Sequence, residues 1–214
     1  EIAPEQVEAV ARESTARDRI YKVVFKEGDI VEPVSPGDPF KLQEYYDHPD
    51  RYRSRFGTYL PHLSILVNCV YWEEKYPRLV TKEDVLKLYG GEDQPRLRVI
   101  GDISCDIEGA IEATVTCTGP GDPVYVYDPD KDEALPGVSG PGPVILAVDI
   151  LPSELPREAS EYFSGILMDY MPAIAKADYG VPFEDLALPA EIKRALIVHR
   201  GELTPDYAYL KAYL

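Results

Sequence analysis

In the stretch "RVIGDISCDIEGAIE", Arg98–Glu112, an apolar run climbs to Asp102. A second acid stands four residues on at Asp106, and Glu108 and Gly109 then break the pattern. Two other apolar runs end in a similar way, one in Asn68, Cys69, Val70 and Tyr71, the other in Val148, Asp149, Ile150 and Leu151. In an open parallel sheet, ligands bind outside the carboxyl ends of the strands. A carboxylate placed there accepts a hydrogen bond from a ribose hydroxyl, orients a cationic substrate, or shifts the pKa of a neighbour. Its structural alternative is to cap the turn that follows. Asp102, with Ile103 and Ser104 beside it, and Asp149 are therefore the candidates for contact with a ligand.

The remaining polar motifs lack the spacing their chemistry needs. "DPDKDE", Asp128–Glu133, has Glu133 where a calcium loop requires glycine and Ser139 where it requires glutamate, so it reads as a solvated hairpin tip. "GPG" occurs at Gly119 and at Gly140, but proline has no N–H to offer a phosphate, and both read as turns. His48, His62 and His199 share no metal-ligand spacing. His199 is read as closing a helix, where its partial charge suits the dipole. No GxSxG is present, which argues against a hydrolase triad. No GxGxxG is present either, so a dinucleotide fold would need its first strand and glycine turn before Glu1.

Composition narrows the partners. With 22 basic and 38 acidic residues, the 214-residue chain carries a net charge of −16, which repels nucleic acid and anionic membrane surfaces. No apolar run approaches the roughly 20 residues of a membrane helix. The start has no signal-peptide pattern and no initiator Met, so the chain is expected to be a segment of something longer. Cys69, Cys105 and Cys117, odd in number and without CxxC spacing, are expected to be buried, reduced thiols in a cytosolic setting.

These residues need elements to hold them. Glu5–Arg17 reads as a polar helix and "IYKVVF" as a strand. Gly28–Pro39 reads as a loop, and "DPFKLQEYYDHPDRYRSRF" as a short helix with turns. "LSILVNCVYW", Leu63–Trp72, has the continuous apolar character of a strand covered on both faces. Thr81 with Asp84 predicts a capped helix, "KEDVLKLY", ending at Gly90 and Gly91. "RLRVIGDIS" and "PVILAVDIL" are two more buried strands, and the succession gives the βαβ signature of a parallel sheet. "IEATVTCT" and "PVYVYDPDKDEALPG" between them suggest a hairpin-like excursion.

The end of the chain is read as helical. "PREASEYFSGILMDYMPAIAKA" carries Ala159, Phe163, Ile166, Leu167, Tyr170 and Ile174 on one stripe. "PAEIKRALIVHRG" and "DYAYLKAYL" follow as two further helices. With no polar linker between strands and helices, the pattern predicts one continuous α/β body.

Taken together, the strand ends resemble a known family. "GDISCDIEGAIE" is similar to the Val-Asp-Ile-Ala-x-Asp-x-Gly-Gly stretch of the alanine dehydrogenase and transhydrogenase superfamily. It is more similar to the Asp-Ile-Ser-Ala-Asp of the branch formed by lysine–ketoglutarate reductase and lysine-forming saccharopine dehydrogenase, as in the reductase half of α-aminoadipic semialdehyde synthase. "DILPSELPREASEYF" matches that branch's Asp-x-Leu-Pro-x-x-Leu-Pro-x-Glu-Ala-Ser-Glu-x-Phe. "HPDRYRSRF" and "VNCVYWEEKYPRLVT" resemble it as well, so that the similarity runs from Asp47 to the end.

The resemblance implies a Rossmann-like parallel sheet, without its first strand and Gly-rich loop, over residues 1–152. It implies a helical segment over 153–214 that packs on a substrate domain absent from this chain. The implied reaction joins lysine and 2-oxoglutarate as an imine, which NAD(P)H reduces to saccharopine. Asp102 matches the family's active-site aspartate. Ile103, Ser104, Val148, Asp149, Ile150 and Leu151 would line the nicotinamide side of the crevice, with Asn68, Cys69, Val70 and Tyr71 along the cofactor and no metal. The family's Lys and His acid–base pair falls in the absent domain, so the segment alone is expected to be inactive. Cys105 replaces a common alanine, and Ile107, Glu108 and Gly109 replace a more polar turn. A second strand ending near Ile2 and Ala3 lacks a closing acid, although Glu5 is near, which leans towards NADP over NAD. An animal-type source would imply mitochondria. The alternatives are an alanine-dehydrogenase-like amino acid dehydrogenase and a non-catalytic module retaining the fold.

Overall fold

The computed structural model describes residues 1–14, 16, 18–91 and 94–213. The chain starts with a 3-10 turn, Pro4–Gln6, in which the Gln6 side chain accepts from the Ala3 N–H at 2.9 Å. Helix α1, Val7–Glu13, follows and buries Val7. The helix expected over Glu5–Arg17 thus stops at Ser14, and Thr15 and Arg17 lie outside the described residues. "IYKVVF" forms no strand and makes a single parallel bridge, Val23 to Ile2.

Helix α2, Glu27–Ile30, leads into β1, Val31–Pro33. Helix α3, Leu42–Asp47, precedes β2, Tyr52–Ser54, which pairs antiparallel with β1. Val31, Tyr45 and Tyr52 form a small buried cluster there, with the Phe40 ring edge-on to Tyr52 at 5.7 Å.

The main sheet comprises β3, Ile65–Asn68; β4, Val99–Asp102; β5, Val124–Asp128; β6, Glu133–Pro136; and β7, Val144–Leu146, in the order β3-β4-β7-β5-β6. The first three run parallel, with Asn68 opposite Asp102 and Gly101 opposite Leu146, so their carboxyl ends share one edge. Helix α4, Lys82–Tyr89, joins β3 to β4 as the βαβ signature predicts. Its start is the expected capping box. Thr81 Oγ1 accepts from the Asp84 N–H at 3.1 Å, and Asp84 Oδ2 accepts from the Thr81 N–H at 3.0 Å.

The predicted hairpin is β5–β6, turning at Pro129–Asp132, where Asp128 Oδ1 accepts from the Asp130 N–H at 3.0 Å. It is no excursion. Strand β5 pairs antiparallel with β7, which makes the sheet mixed rather than parallel throughout. Gly142 makes room for this: a Cβ there would stand 1.8 Å from the Tyr127 carbonyl oxygen. "IEATVTCT" forms no strand, only bridges from Ile111 to Val80 and from Thr118 to Val148.

One face of the sheet is sealed by Phe56, Leu60, Leu66, Val80, Val85, Leu97, Ile100, Ile111 and Ile145. The opposite face corrects the reading of Leu63–Trp72 as covered on both sides. Ile65 is 64% and Val67 59% exposed, and the strand alternates open and buried positions. A period-2 strand with those two residues open shows one wet face whatever its composition.

By contacts the chain divides into two units, Glu1–Leu151 and Pro152–Leu214. The second unit begins with α5, Pro156–Met168, and α6, Met171–Lys176. The single long helix expected here breaks at Asp169 and Tyr170, because Pro172 has no N–H to continue the ladder. Helix α7, Ala190–Ala195, ends earlier than predicted. Val198–His199 (β8) then turns back through Arg200 and Gly201, both at positive φ, onto Glu202–Leu203 (β9). That pair of left-handed residues is hairpin-turn geometry. His199 therefore closes no helix; its Nε2 lies 2.8 Å from the Val181 carbonyl. The last predicted helix is a 3-10 segment, Pro205–Tyr213.

Candidate functional site

The aligned tips of β3 and β4 bring Asn68 and Asp102 side by side. Both are 1% exposed. Asn68 Nδ2 donates to Asp102 Oδ1 at 2.8 Å, and Thr114 Oγ1 donates to Asp102 Oδ2 at 2.6 Å. The backbone N–H of Cys105 adds a longer contact to Oδ1 at 3.3 Å. A buried carboxylate is tolerated only when its lone pairs are met, and here three donors meet them.

The chain beyond each strand is bound to its neighbour. The Ile103 N–H donates to the Asn68 carbonyl at 2.8 Å, the Ser104 hydroxyl to the Val70 carbonyl at 2.6 Å, and the Val70 N–H to Asn68 Oδ1 at 3.1 Å. Asn68, Val70, Asp102, Ile103 and Ser104, singled out from sequence, thus form one hydrogen-bonded junction. Val148, 2% exposed, bridges Thr118 beside it. Cys69, Tyr71, Asp149 and Ile150 are exposed along the same edge, and Leu151 is half-buried.

Thr114 was not among the candidates, and no local pattern marks it, since it lies twelve residues beyond the acid it serves. Its loop is held in turn by Tyr125, whose hydroxyl donates to the Ala113 carbonyl at 2.9 Å and accepts from the Val115 N–H at 3.0 Å. Burial pushes the Tyr125 phenol up to about 12.

The turn after β4 is fixed from the other side. Glu108 sits at φ 51°, and its carbonyl accepts from Arg78 Nε and Nη2 at 3.3 and 3.0 Å. The Lys82 ammonium lies between the carboxylates of Asp132, at 2.8 Å, and Glu108, and these two partners hold its pKa well above the usual lysine value. Lys82 so ties the start of α4 to the hairpin tip.

Beside the tip of β3 lies a cavity of about 380 Å³. Tyr45, Tyr46, Val70, Tyr71, Trp72 and Tyr76 supply much of its wall, with Lys26, Glu27 and Arg78 as its charged groups. The Arg78 guanidinium stacks over Trp72 at 5.1 Å, and the Tyr46 hydroxyl donates to Glu27 at 2.8 Å. Flat aromatic walls with few fixed charges suit a planar ring carried on a polar chain. Val70 and Tyr71 belong to this cavity; Asp102 and Asp149 do not line it.

Among the described residues, no group of three or more His, Cys, Asp or Glu could hold a metal. No described helix is long and apolar enough to cross a membrane.

No family model matches the chain. It is similar to α-aminoadipic semialdehyde synthase of Arabidopsis thaliana, 34% identical over 207 residues, which is 94% of this chain and 19% of that protein. The mitochondrial α-aminoadipic semialdehyde synthase of Mus musculus is 32% identical over 92% of this chain and 22% of its own length. The saccharopine dehydrogenase [NAD(+), L-lysine-forming] of Emericella nidulans is 36% identical over 53% of this chain and 28% of its own length. The chain therefore spans about a fifth of the length of the synthases it matches. With similarity running across nearly the whole of it, the chain belongs to the family of α-aminoadipic semialdehyde synthase and lysine-forming saccharopine dehydrogenase, of which it represents a part.

Proposed function

We propose that the chain forms the nucleotide side of a lysine–ketoglutarate reductase, which condenses lysine with 2-oxoglutarate and reduces the product to saccharopine. The observation that carries this reading is the junction of Asn68, Asp102 and Thr114 at the shared carboxyl edge of parallel strands, with an aromatic cavity at its flank. Residues 1–152 are, in this reading, part of a Rossmann-like domain whose first strand and glycine loop come from elsewhere in the protein. Residues 153–214 pack on a separate substrate domain, which carries the acid–base pair.

A nicotinamide cofactor supplies hydride. The aromatic cavity and the exposed side chains of Cys69 and Tyr71 fit its rings and ribose, and Asp149 and Ile150 stand on the same edge. Ile103, Ser104, Val148 and Leu151 shape the floor of the crevice.

Asp102 is a positioning residue rather than one that meets substrate. Its carboxylate is enclosed and holds the ends of β3 and β4 together. A fixed negative charge just beneath the edge also favours a cation above it, such as the protonated imine of a reductive condensation. The fungal relatives carry NAD(+) in their names. The lean towards NADP rests only on the absence of an acid at Ala3.

The test is a steady-state assay of the full-length protein with lysine, 2-oxoglutarate and either NADH or NADPH. Saccharopine is the expected product. Turnover of pyruvate and ammonia instead would favour an alanine-dehydrogenase-like enzyme, and no nucleotide binding at all would favour a non-catalytic module. The isolated 214-residue chain is expected to form no saccharopine.

A further inference from the structure

Cys105 follows the junction directly and is held in the left-handed region at φ 55°. Its thiol is buried, 2.8 Å from the Ala147 carbonyl, and its sulfur lies 3.4 Å from that of Cys117. Cys117 is exposed, in a stretch without regular structure that ends at the Thr118–Val148 bridge. Its thiol faces the carbonyl of Cys105 at 3.6 Å. Two sulfurs in van der Waals contact, one open to solvent and one enclosed, make an attacking and a resolving pair.

We propose that Cys105 and Cys117 are a reversible redox pair, converted to a disulfide by hydroperoxides at the tip of β4. The Cys117 sulfur, as thiolate, attacks one peroxide oxygen. The O–O bond breaks, the departing hydroxide or alkoxide takes up the proton that the thiol released, leaving as water or an alcohol, and Cys117 becomes a sulfenic acid. The Cys105 sulfur then attacks the Cys117 sulfur. The S–O bond breaks, and the hydroxide leaves as water with the Cys105 proton. Two thiols lose two electrons, and one hydroperoxide becomes two waters, or water and an alcohol.

The order follows from access. Burial, with the neighbouring Cys117 thiol, pushes the Cys105 thiol up to about 12, so it stays protonated until the sulfenic acid arrives beside it. Bond formation needs the sulfurs to close to about 2.05 Å, a movement the exposed Cys117 segment supplies. Closure draws Cys105 off the Ala147 carbonyl and pulls on the backbone N–H that meets Asp102. The chemistry is independent of the reaction proposed for the crevice.

The experiment treats the purified full-length protein with hydrogen peroxide and follows these three cysteines by peptide mass mapping. Cleavage after Glu108 and Glu112 places Cys105 and Cys117 on separate peptides. The expected result is a joined pair of peptides two hydrogens lighter than their sum, with the free thiols among these three falling from three to one and restored by dithiothreitol. Cys117→Ser should give no joined pair, and Cys69→Ser should give the same pair as the unaltered protein. Cys105→Ala should instead let the Cys117 sulfenic acid accumulate, trapped by dimedone. Oxygen retained on Cys117 with Cys105 present and unlinked, a link through Cys69, or unchanged thiols would each overturn the proposal.

Discussion

Glu1–Leu151 and Pro152–Leu214 differ in how far each buries its own apolar surface. In the first, every strand of the main sheet except β6 contributes buried side chains, and Ile100, Ile111 and Ile145 are completely enclosed. In the second, none of α5, α6 or α7 buries a residue; among the described residues, the buried ones are Leu186, His199 and Thr204. Leu155, Tyr162, Phe163, Ile166 and Met168 instead lie open on or beside α5. The first unit can hold itself together by area removed from water, whereas the second relies on local hydrogen bonds such as Thr204 Oγ1 to the Leu196 carbonyl. Exposed apolar surface on that scale marks an interaction face, which the proposed reading assigns to the substrate domain.

The largest effect should come from Ile100→Ala at the centre of the sheet, a loss of about 2–5 kcal/mol measured by urea unfolding. Phe163→Ala on α5 should cost no more than about 0.5 kcal/mol in the same chain. Equal losses would erase the contrast between the units.

High pH should also strike the first unit. Burial pushes Tyr45 and Tyr125 from the ordinary 10.0 up to about 12. A folded pKa above the unfolded one means stability that is intact below pH 10 and lost as pH rises towards 12. The last phase of the rise in tyrosinate absorbance should therefore coincide with the loss of the β-sheet signal in circular dichroism. Separate transitions would count against these phenols being enclosed.

Of intermediate size is Thr114→Val, which leaves Asp102 Oδ2 without its donor and should cost about 1–3 kcal/mol. Thr114→Ser keeps the hydroxyl and should recover most of that loss. The smallest effect should be Arg157→Ala on α5. Its ion pair with Glu161 is solvent-exposed on both sides, and unfolding should shift by about 0.5 kcal/mol or less.

The parallel core was legible because its elements announce themselves locally. The Thr81–Asp84 box and the Asp128–Asp132 turn fold by contacts within a few residues. The apolar runs show their strand character in composition, although β3 finds its partner in a segment far along the chain. His199 misled for the opposite reason. "ALIVHRG" carries a helix-compatible pattern, but the Arg200–Gly201 turn and a bond to Val181 make it a strand. Burial of the cysteines also escaped the pattern. Cys69 and Cys117 stand in apolar or β-branched runs yet are exposed, because a run says nothing about whether another segment covers it.

Sequence alone determined that three apolar runs lead into polar residues, that a capped helix links the first two, and which family those ends resemble. These are properties of residue type and short-range spacing, legible before the ladders between distant strands form. Only the tertiary structure decided that Asp102 is enclosed by Asn68 and Thr114, that β5 and β6 extend the sheet antiparallel, and that Cys105 touches Cys117. Each of those depends on segments distant along the chain arriving at one place, and the free energy that brings them there comes from the shared core.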